Sequence, residues 1–521
     1  MRSVLMVLVI SLAIGCVPST PNSYLTHQYL QEISITQLRQ GYEQGSYTIE
    51  QVVKDYLQRI EDLDKKGPAL NSIIYVNPHA LELARELDSE WKAGKIRGPL
   101  HGIPVIVKDN LNTADMPTTA GATVLRDSYP PDDSHLVKKL KTAGAIIIAK
   151  ANLSEWANFR ASKSSSGWSG MLGQTKNPYV LDRNPCGSSS GSGVAASASL
   201  CAIAIGTETN GSIVCPSNAN GLVGLKPTVG LLSRSGIIPI SFTQDTAGPM
   251  GRSVTDVAIT LGVLAGVDAR DEKTLAAQGN YLTDYTPHLK ADGLKGKRIG
   301  WLKSIGGYHA RVDTLMKRAL ADLRAQGAEV VELDFTMDRS AGSASFTVLL
   351  YEFKDGLTNY FASLGPTARV KDLKELMEFN KSDSVELKHF DQNLVRLASE
   401  KGTLLDKEYT DALATMLKAT RENGIDKLLK ENNLHALVAP TGAPAWKTDW
   451  IDGDHFLGGS SSLAAIAGYP SITVPMGFVD VLPVGISFFS TAWQEPVLIE
   501  IAYSYEQATR HRQAPKFIAS R

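Results

Sequence analysis

Residues 102–110 read GIPVIVKDN, and residues 143–152 read AGAIIIAKAN. Both are short runs of mostly β-branched apolar residues bounded by turn-forming residues, which is the pattern of a buried strand. HLVKKLKTAG, residues 135–144, lies between them and has the apolar spacing of a helix. The stretch therefore predicts a strand–helix–strand unit, which is typical of an α/β fold.

The rest of the chain alternates helical and strand patterns. TIEQVVKDYLQRIEDLDKKG, residues 48–67, predicts an amphipathic helix capped by Thr48, with Gln51 as its capping-box partner. Further helices are predicted over residues 312–327 and 386–402, a small-residue helix and strand over 191–205, and strands over 328–335, 435–444, 471–478 and 484–490. Since no linker or repeat interrupts the chain, we expect one large α/β domain over residues 30–521, with a helical excursion at about residues 335–430.

The composition is that of an ordinary globular protein. The 521 residues include 43% apolar and 21% charged residues, and the formal net charge is −1. This length is ample for a hydrophobic core. Because the net charge is close to zero, no overall field attracts the chain to nucleic acid, and we expect no nucleic-acid partner.

The first residues predict an export signal. MRSVLMVLVISLAIGC has a basic start and an apolar run that is too short to span a bilayer. We predict a cleaved signal peptide over residues 1–15 and a tether over residues 16–29. The ending AIGC resembles a bacterial lipobox, which implies lipidation at Cys16 and a membrane contact through this anchor in the periplasm or cell envelope. Ala13 stands where Leu is usual, so ordinary signal-peptidase cleavage stays open.

The other cysteines are Cys186, Cys201 and Cys215, an odd number within a short segment. This is not the pattern of a disulfide framework, and Cys215 is interpreted as a small buried residue. The 10 histidines are scattered without ligand spacing, and no CxxC or HExxH motif occurs. We therefore expect no metal site.

The serine-rich segment NPCGSSSGSGVAA, residues 184–196, allows several interpretations. Residues 187–191 match the nucleophile-elbow pattern G-x-S-x-G with Ser189 as nucleophile, and residues 191–196 match a loose dinucleotide fingerprint. Both patterns need a preceding strand, whereas QTKNPYVLDRNPC contains two prolines and many polar residues. A flexible Gly/Ser linker is a third interpretation, but an apolar helix and strand follow directly.

A serine nucleophile needs a base, because a free hydroxyl is weakly nucleophilic near neutral pH. No histidine lies near the serine clusters in the sequence, although triad members are often distant in sequence. A lysine whose pKa is lowered by burial is the other candidate. Lys108 directly follows the apolar run IPVIV, where burial is plausible; alone, a lysine at a strand end is more often solvated.

Three segments, HGIPVIVKDN, PCGSSSGSG and GTETNGSIVCPSNANGLVGLKPT, resemble the amidase signature family in order and spacing. The resemblance extends from about Leu30 to the C-terminus and implies a single α/β/α domain with a mixed central sheet flanked by helices, whose signature core covers about residues 99–255. It implies amide hydrolysis without a cofactor by a Ser–cis-Ser–Lys triad. Lys108 then matches the base, Ser188 the bridging serine with a cis peptide bond, and Ser212 the nucleophile.

The same resemblance implies an oxyanion hole formed by the backbone N–H groups of Thr209, Asn210, Gly211 and Ser212. The usual glycine before Gly211 is Asn210 here. Its side chain either contacts substrate or only tolerates an unusual backbone angle, and both interpretations stay open.

Further sequence features are similar to those of bacterial peptide amidases, which remove the C-terminal amide from peptides. These features are the Cys186-Gly187 pair, the segment GWSGMLGQTKNP and the segment GLLSRSGIIPISFTQDTAGPM. In SEWANFR, the side chains of Trp156, Phe159 and Arg160 are candidates for lining a substrate pocket, while packing in the core is the alternative interpretation.

We therefore expect an exported serine amidase that hydrolyses a small-molecule or peptide carboxamide to a carboxylate and ammonia. One alternative is the amidase component of a tRNA-dependent amidotransferase, which shares the signature but needs cytoplasmic partners. The other alternative is a catalytically silent lipoprotein that retains the fold as a binding module.

Overall fold

The computed structural model describes residues 27–520 and contains a large mixed sheet flanked by helices. The strands are β1 Ile73–Val76, β2 Pro104–Lys108, β3 Ile146–Ala151, β4 Trp168–Ser169, β5 Gly173–Gln174, β6 Ile203–Glu208, β7 Val223–Lys226, β8 Thr246–Gly251, β9 Arg298–Leu302, β10 Glu329–Leu333, β11 Ala436–Pro440, β12 Ser471–Val479 and β13 Leu482–Phe489. β4 and β5 form a separate hairpin, and the other 11 strands form the sheet.

The helices of the described residues lie mainly on the two faces of this sheet. They are α1 Ile35–Glu43, α2 Ile49–Arg59, α3 Ala80–Lys92, α4 His135–Thr142, α5 Ser190–Ser197, α6 Val214–Ala219, α7 Val254–Leu264, α8 Ala310–Ala325, α9 Arg339–Ser363, α10 Leu373–Ser382, α11 Asn393–Ser399, α12 Lys407–Thr420, α13 Asp426–Glu431, α14 Ser461–Ala467 and α15 Glu495–Thr509. The helices α9 to α13 all lie between β10 and β11, where the sequence predicts the helical excursion.

The strand order is β1-β3-β2-β6-β8-β7-β12-β13-β11-β9-β10. β2 pairs in parallel with both β3 and β6, whereas β6 pairs antiparallel with β8. All residues of β2, β3 and β6 are buried, as expected for strands covered on both faces. The predicted strand–helix–strand unit is thus confirmed as β2–α4–β3.

The helix α5 packs unusually close to neighbouring main chain because its residues are small. All eight of its residues are buried. A Cβ atom added to Gly191 would lie 2.4 Å from the carbonyl oxygens of Asn152 and Ser72. Glycine is therefore required at this position to seat the helix that follows the serine-rich segment.

Two predicted helices differ from the structure. The helix predicted over residues 48–67 is capped by Thr48 as expected, but α2 ends at Arg59 and a π-helical turn follows. In the segment predicted as a helix over residues 386–402, only α11 is α-helical. Glu386 at its start is fully buried and accepts hydrogen bonds from Thr123 and Arg160, so tertiary contacts override the local preference.

None of the helices formed by residues 27–520 combines the length and the apolar character that a membrane span requires. The predicted signal peptide over residues 1–15 and the lipidation site Cys16 lie outside the described residues.

Candidate active site

The three residues matched to the catalytic triad come from separate segments at one edge of the sheet. Lys108 is the last residue of β2, Ser188 lies just before α5, and Ser212 lies between β6 and α6. Because β2 and β6 are adjacent and parallel, their carboxyl ends lie at the same edge. Ligand sites of α/β sheets lie at this edge, so the topology places distant segments where chemistry is expected.

The Lys108 side chain is fully buried and is surrounded by hydroxyl and carbonyl groups. Its ammonium nitrogen donates to Ser188 Oγ at 2.9 Å, to Thr207 Oγ1 at 2.8 Å and to the Thr207 carbonyl at 3.3 Å. Burial lowers the pKa of Lys108 from 10.5 to about 7, although the carboxylates of Asp245 and Glu208 oppose this effect. The amine is thus suited to accept a proton near neutral pH.

Thr207 is a site residue that the sequence analysis does not identify. Its hydroxyl contacts Lys108 and also accepts a hydrogen bond from Asn110 Nδ2 at 3.0 Å. The only signal for it in the sequence is its position near the carboxyl end of the apolar strand β6, five residues before Ser212.

Ser188 and Ser189 have different surroundings. The Gly187–Ser188 peptide bond is cis, as the resemblance implies, and Ser188 Oγ faces Lys108. The Ser189 hydroxyl instead donates to the Thr207 carbonyl at 2.9 Å and accepts from the Thr207 N–H at 3.1 Å. Ser189 is therefore used to fix the main chain of β6, which argues against the nucleophile-elbow interpretation.

The segment after β6 carries the candidate nucleophile in a sharply turned loop. Ser212 is 8% exposed, and Gly211 before it has a φ of +84°, a conformation that favours glycine. The Ser212 carbonyl accepts a hydrogen bond from the Ser189 N–H at 3.3 Å, which joins the two serine segments. On the other side, the Glu208 carboxylate accepts hydrogen bonds from the first N–H groups of the α6 region.

The backbone N–H groups of residues 209–212 are free to bind a ligand. Within the described part of the chain, none of these four N–H groups donates a hydrogen bond to the protein. A turn that leaves several amide donors together is the arrangement that stabilises an oxyanion. This observation fits the predicted role of Thr209, Asn210, Gly211 and Ser212.

The Asn210 side chain is exposed and contacts α14. Its Oδ1 atom accepts from Ser461 Oγ at 2.8 Å, and its Nδ2 atom donates to Ser462 Oγ at 3.2 Å. Asn210 is not among the residues with positive φ, whereas Gly211 is. The need for an unusual backbone angle therefore does not explain Asn210, and its side chain borders the nucleophile loop.

The cysteine interpretation is wrong. Cys186 and Cys215 form a disulfide with a Cα–Cα distance of 6.0 Å, and Cys201 is the free buried thiol. The three cysteines are therefore one bonded pair and one free residue. The pairing could not be predicted, because it depends on two loops that are brought together only by the fold. Cys215 is half-buried and bonded rather than a small buried thiol. The disulfide links the residue two before Ser188 to the residue three after Ser212.

The predicted pocket residues of SEWANFR lie in the core. The Trp156 ring is 2% exposed and packs edge-on against Phe361, and Phe159 packs against Phe353. Arg160 is 2% exposed and forms ion pairs with buried carboxylates. All three side chains are buried, and none of them lines the cavity beside the site, which favours the alternative interpretation of core packing.

A cavity of about 490 Å³ lies beside the site. Its lining residues include Thr207, Thr209, Asp245, Arg234 and Tyr360. From the SEWANFR segment only Ala157 reaches this cavity. Among residues 27–520, no group of three or more His, Cys, Asp or Glu side chains is arranged to hold a metal ion.

The 11-stranded mixed sheet, with a buried lysine at the end of β2 that contacts a cis-bonded serine before α5, is the architecture expected of amidase signature enzymes. The chain belongs to the Amidase family, whose model matches residues 51–499.

Similar proteins agree with this assignment. The structure of native peptide amidase from Stenotrophomonas maltophilia is 48% identical with a TM-score of 0.90, covering 95% of this chain and 100% of that one. A probable amidase of Arabidopsis thaliana is 38% identical over 505 residues, which is 94% of this chain and 92% of the plant protein. A glutamyl-tRNA(Gln) amidotransferase component of Symbiobacterium thermophilum is 33% identical over 497 residues, covering 92% of this chain and 98% of that protein. The protein is thus an amidase, a hydrolase of carbon–nitrogen bonds.

Proposed function

We propose that the protein hydrolyses carboxamides through an acyl-enzyme on Ser212. The observation that carries this proposal is the 2.9 Å contact between the buried amine of Lys108 and Ser188 Oγ. In the neutral state, Lys108 accepts a proton from Ser188 while Ser188 accepts the proton of Ser212. Ser212 Oγ then attacks the amide carbonyl carbon and forms a tetrahedral intermediate.

Collapse of the intermediate breaks the carbon–nitrogen bond. The proton stored on Lys108 returns through Ser188 to the leaving nitrogen, which departs as ammonia. A water molecule then attacks the acyl-enzyme by the same relay and releases the carboxylate and Ser212. The N–H groups of residues 209–212 hold the oxyanion in both steps; loss of one such donor raises the barrier by about 3–4 kcal/mol.

The proposed substrate is the C-terminal amide of a peptide or an amino-acid amide. The similarity to a peptide amidase extends over 95% of this chain. The polar rim formed by the exposed Asn210 and the half-buried Ser461 and Ser462 beside the nucleophile loop also suits a substrate with a peptide main chain. A fatty chain would offer no hydrogen bond to the remaining donor and acceptor positions of these groups.

We also propose that the protein is exported and held at the cell envelope through a lipid on Cys16. The basic and apolar start of the sequence supports export. The Cys186–Cys215 disulfide supports it independently, because disulfides persist mainly in oxidising compartments outside the cytosol. Labelling of intact cells with radioactive palmitate, compared with a Cys16→Ser variant, tests the anchor: equal labelling of both proteins would contradict it.

Ammonia release from a panel of amides tests the activity. The panel contains an amidated dipeptide, a free amino-acid amide, a long-chain fatty amide and glutamine. We expect turnover of the dipeptide amide, loss of turnover in Ser212→Ala and full activity in Ser382→Ala, an exposed serine on α10. Turnover of the dipeptide amide that survives in Ser212→Ala would refute the proposed nucleophile.

The panel also separates the alternatives. The 33% identity to an amidotransferase component favours glutamine as a second candidate substrate. Turnover of glutamine alone would support that class. No turnover and no labelling of Ser212 by a serine-directed phosphonate would support the silent binding lipoprotein.

A further inference from the structure

The loop of residues 240–245 holds Thr209 on two sides. Thr209 Oγ1 donates to Asp245 Oδ1 at 2.5 Å, and Gln244 Nε2 donates to the Thr209 carbonyl at 3.3 Å. The second oxygen of Asp245 accepts from the N–H groups of Ile240 and Ser241, both at 2.8 Å, so the carboxylate is itself fixed. We propose that Gln244 and Asp245 are positioning residues that hold the oxyanion-binding turn, residues 209–212, through Thr209.

The turn of residues 209–212 depends on contacts with other segments to keep its conformation. Gly211 lacks a side chain that would anchor it, and the N–H groups of residues 209–212 make no hydrogen bond within the described protein. Oxyanion donors are effective only when they are fixed before the charge develops, and displacement by about 1 Å is enough to lower a rate about 100-fold. Thr209 is the first residue after β6, where an external restraint acts on the whole turn.

The same loop is fastened to the helical excursion. Gln244 Oε1 accepts from Ser345 Oγ of α9 at 2.6 Å. The buried carboxylate of Glu352, also on α9, accepts from Thr243 Oγ1 at 2.6 Å and from the Tyr409 hydroxyl of α12 at 2.7 Å. A continuous set of hydrogen bonds thus joins α9 and α12 to the turn that binds the oxyanion. The excursion therefore contributes to the reaction centre although it carries no triad residue.

Asp245 also affects the proposed base, Lys108, through its negative charge. Asp245 is half-buried, and its partial removal from solvent raises the pKa of its carboxyl group to about 6, so it is mainly ionised at neutral pH. Its carboxylate, together with that of Glu208, raises the pKa of Lys108 against the larger effect of burial.

The other charged groups around this loop are few. Arg234 lowers the pKa of Asp245 and is itself paired with Asp271, and Glu352 faces the loop from α9. Replacing Asp245 by asparagine removes the negative charge near Lys108 but leaves these neighbours in place.

Two substitutions at Thr209 test the positioning role, which rests on the proposed hydrolysis by Ser212. Thr209→Val keeps the shape and removes the hydroxyl that contacts Asp245. We expect kcat for an amidated dipeptide to fall about 10- to 100-fold, with KM changed less than about threefold. Thr209→Ser restores the hydroxyl and is expected to recover most of this loss. A wild-type kcat in Thr209→Val would overturn the proposal.

The pH profile of Asp245→Asn tests the effect of Asp245 on Lys108, because loss of a purely structural contact would not shift this profile. With the charge removed, the pKa of Lys108 falls, so the rise of kcat/KM with pH is expected to begin at lower pH than in the wild type. Asp355→Asn removes a carboxylate of α9 that accepts a hydrogen bond from Asn359 of the same helix, and its pH profile is expected to match the wild type. An unshifted profile in Asp245→Asn would contradict the coupling to the base.

The wild type and Ser212→Ala are assayed beside these variants. If the wild type hydrolyses the amide and Ser212→Ala does not, a wild-type kcat in Thr209→Val refutes the positioning role alone. If Ser212→Ala is as active as the wild type, the proposed function fails, and the positioning role fails with it.

Discussion

Replacing Lys108 by methionine is expected to lower the activity strongly and to stabilise the folded protein. Burial lowers the pKa of this amine from 10.5 to about 7. A lowering of this size corresponds to about 5 kcal/mol of folding free energy when the amine is protonated, at about 1.36 kcal/mol per pH unit. Methionine fills a similar volume without a charge. Lost hydrogen bonds to Ser188 and Thr207 offset about 1 kcal/mol each, which leaves a net gain of about 3 kcal/mol below pH 7.

The pH dependence of this gain follows from proton binding. Below about pH 7 the amine is protonated in both the folded and the unfolded state, so the wild type carries the full burial penalty. Between about pH 7 and pH 10.5 the unfolded state binds the extra proton, so the stability of the wild type rises with pH. The stability difference between Lys108→Met and the wild type is therefore largest at pH 6 and smaller by about 3 kcal/mol at pH 9.

Thermal unfolding at pH 6 and pH 9, beside ammonia release, checks both effects. We expect kcat/KM to fall about 10²- to 10⁴-fold and the Tm at pH 6 to rise by a few degrees. Lys407→Met, which replaces an exposed lysine on α12, should change neither. Activity within tenfold of the wild type would refute Lys108 as the base. A Tm difference independent of pH would refute the lowered pKa.

The disulfide, one glycine and the paired serines give further expected outcomes. The double variant Cys186→Ala/Cys215→Ala should lose about 2–4 kcal/mol of stability, and dithiothreitol should then no longer lower its Tm, unlike that of the wild type. Gly191→Ala should lose about 1–3 kcal/mol in a denaturant titration, because its Cβ would lie 2.4 Å from carbonyl oxygens. Ser188→Ala should strongly slow phosphonate labelling, while Ser189→Ala should retain labelling; the reverse order would restore the nucleophile-elbow interpretation.

The strands around the site could be predicted because their patterns are local. The β-branched runs of β2 and β3 need no distant partner to be recognised, and Lys108 stands at the end of one of them. The three triad residues were identified because their motifs resemble a known family in order and spacing. Local patterns were insufficient at Glu386. The sequence around it has helical spacing, but its side chain is buried and accepts hydrogen bonds from Arg160 and Thr123 instead.

Contacts between distant segments could not be predicted. The Cys186–Cys215 bond depends on how two loops meet, and an odd cysteine count concealed it. Thr207 approaches Lys108 through the pairing of β2 with β6, and Asp245 approaches Thr209 through the pairing of β6 with β8. Neither residue carries a pattern that marks it as functional. These residues determine the environment of the base and the turn, which the sequence motifs alone do not describe.

Among residues 27–520, three lysines are fully buried, and of these only Lys108 donates a hydrogen bond to Ser188. Lys150 on β3 pairs with Asp109 at 3.0 Å, and Lys226 donates to the Pro227 carbonyl. Asp109 directly follows Lys108 in the chain, so the strand end presents a base and an acid side by side. The acid, Asp109, forms its ion pair with Lys150.

The consequence for Lys108 is an environment of hydroxyls instead of a paired carboxylate. A carboxylate at ion-pair distance would favour the protonated amine and prevent it from acting as a base near neutral pH. Its closest partners are Ser188 and Thr207, while the carboxylates of Glu208 and Asp245 act on its pKa without a hydrogen bond to the amine. Asp109, the next residue in the chain, pairs with Lys150 instead, so Lys108 keeps the hydroxyl surroundings in which burial lowers its pKa.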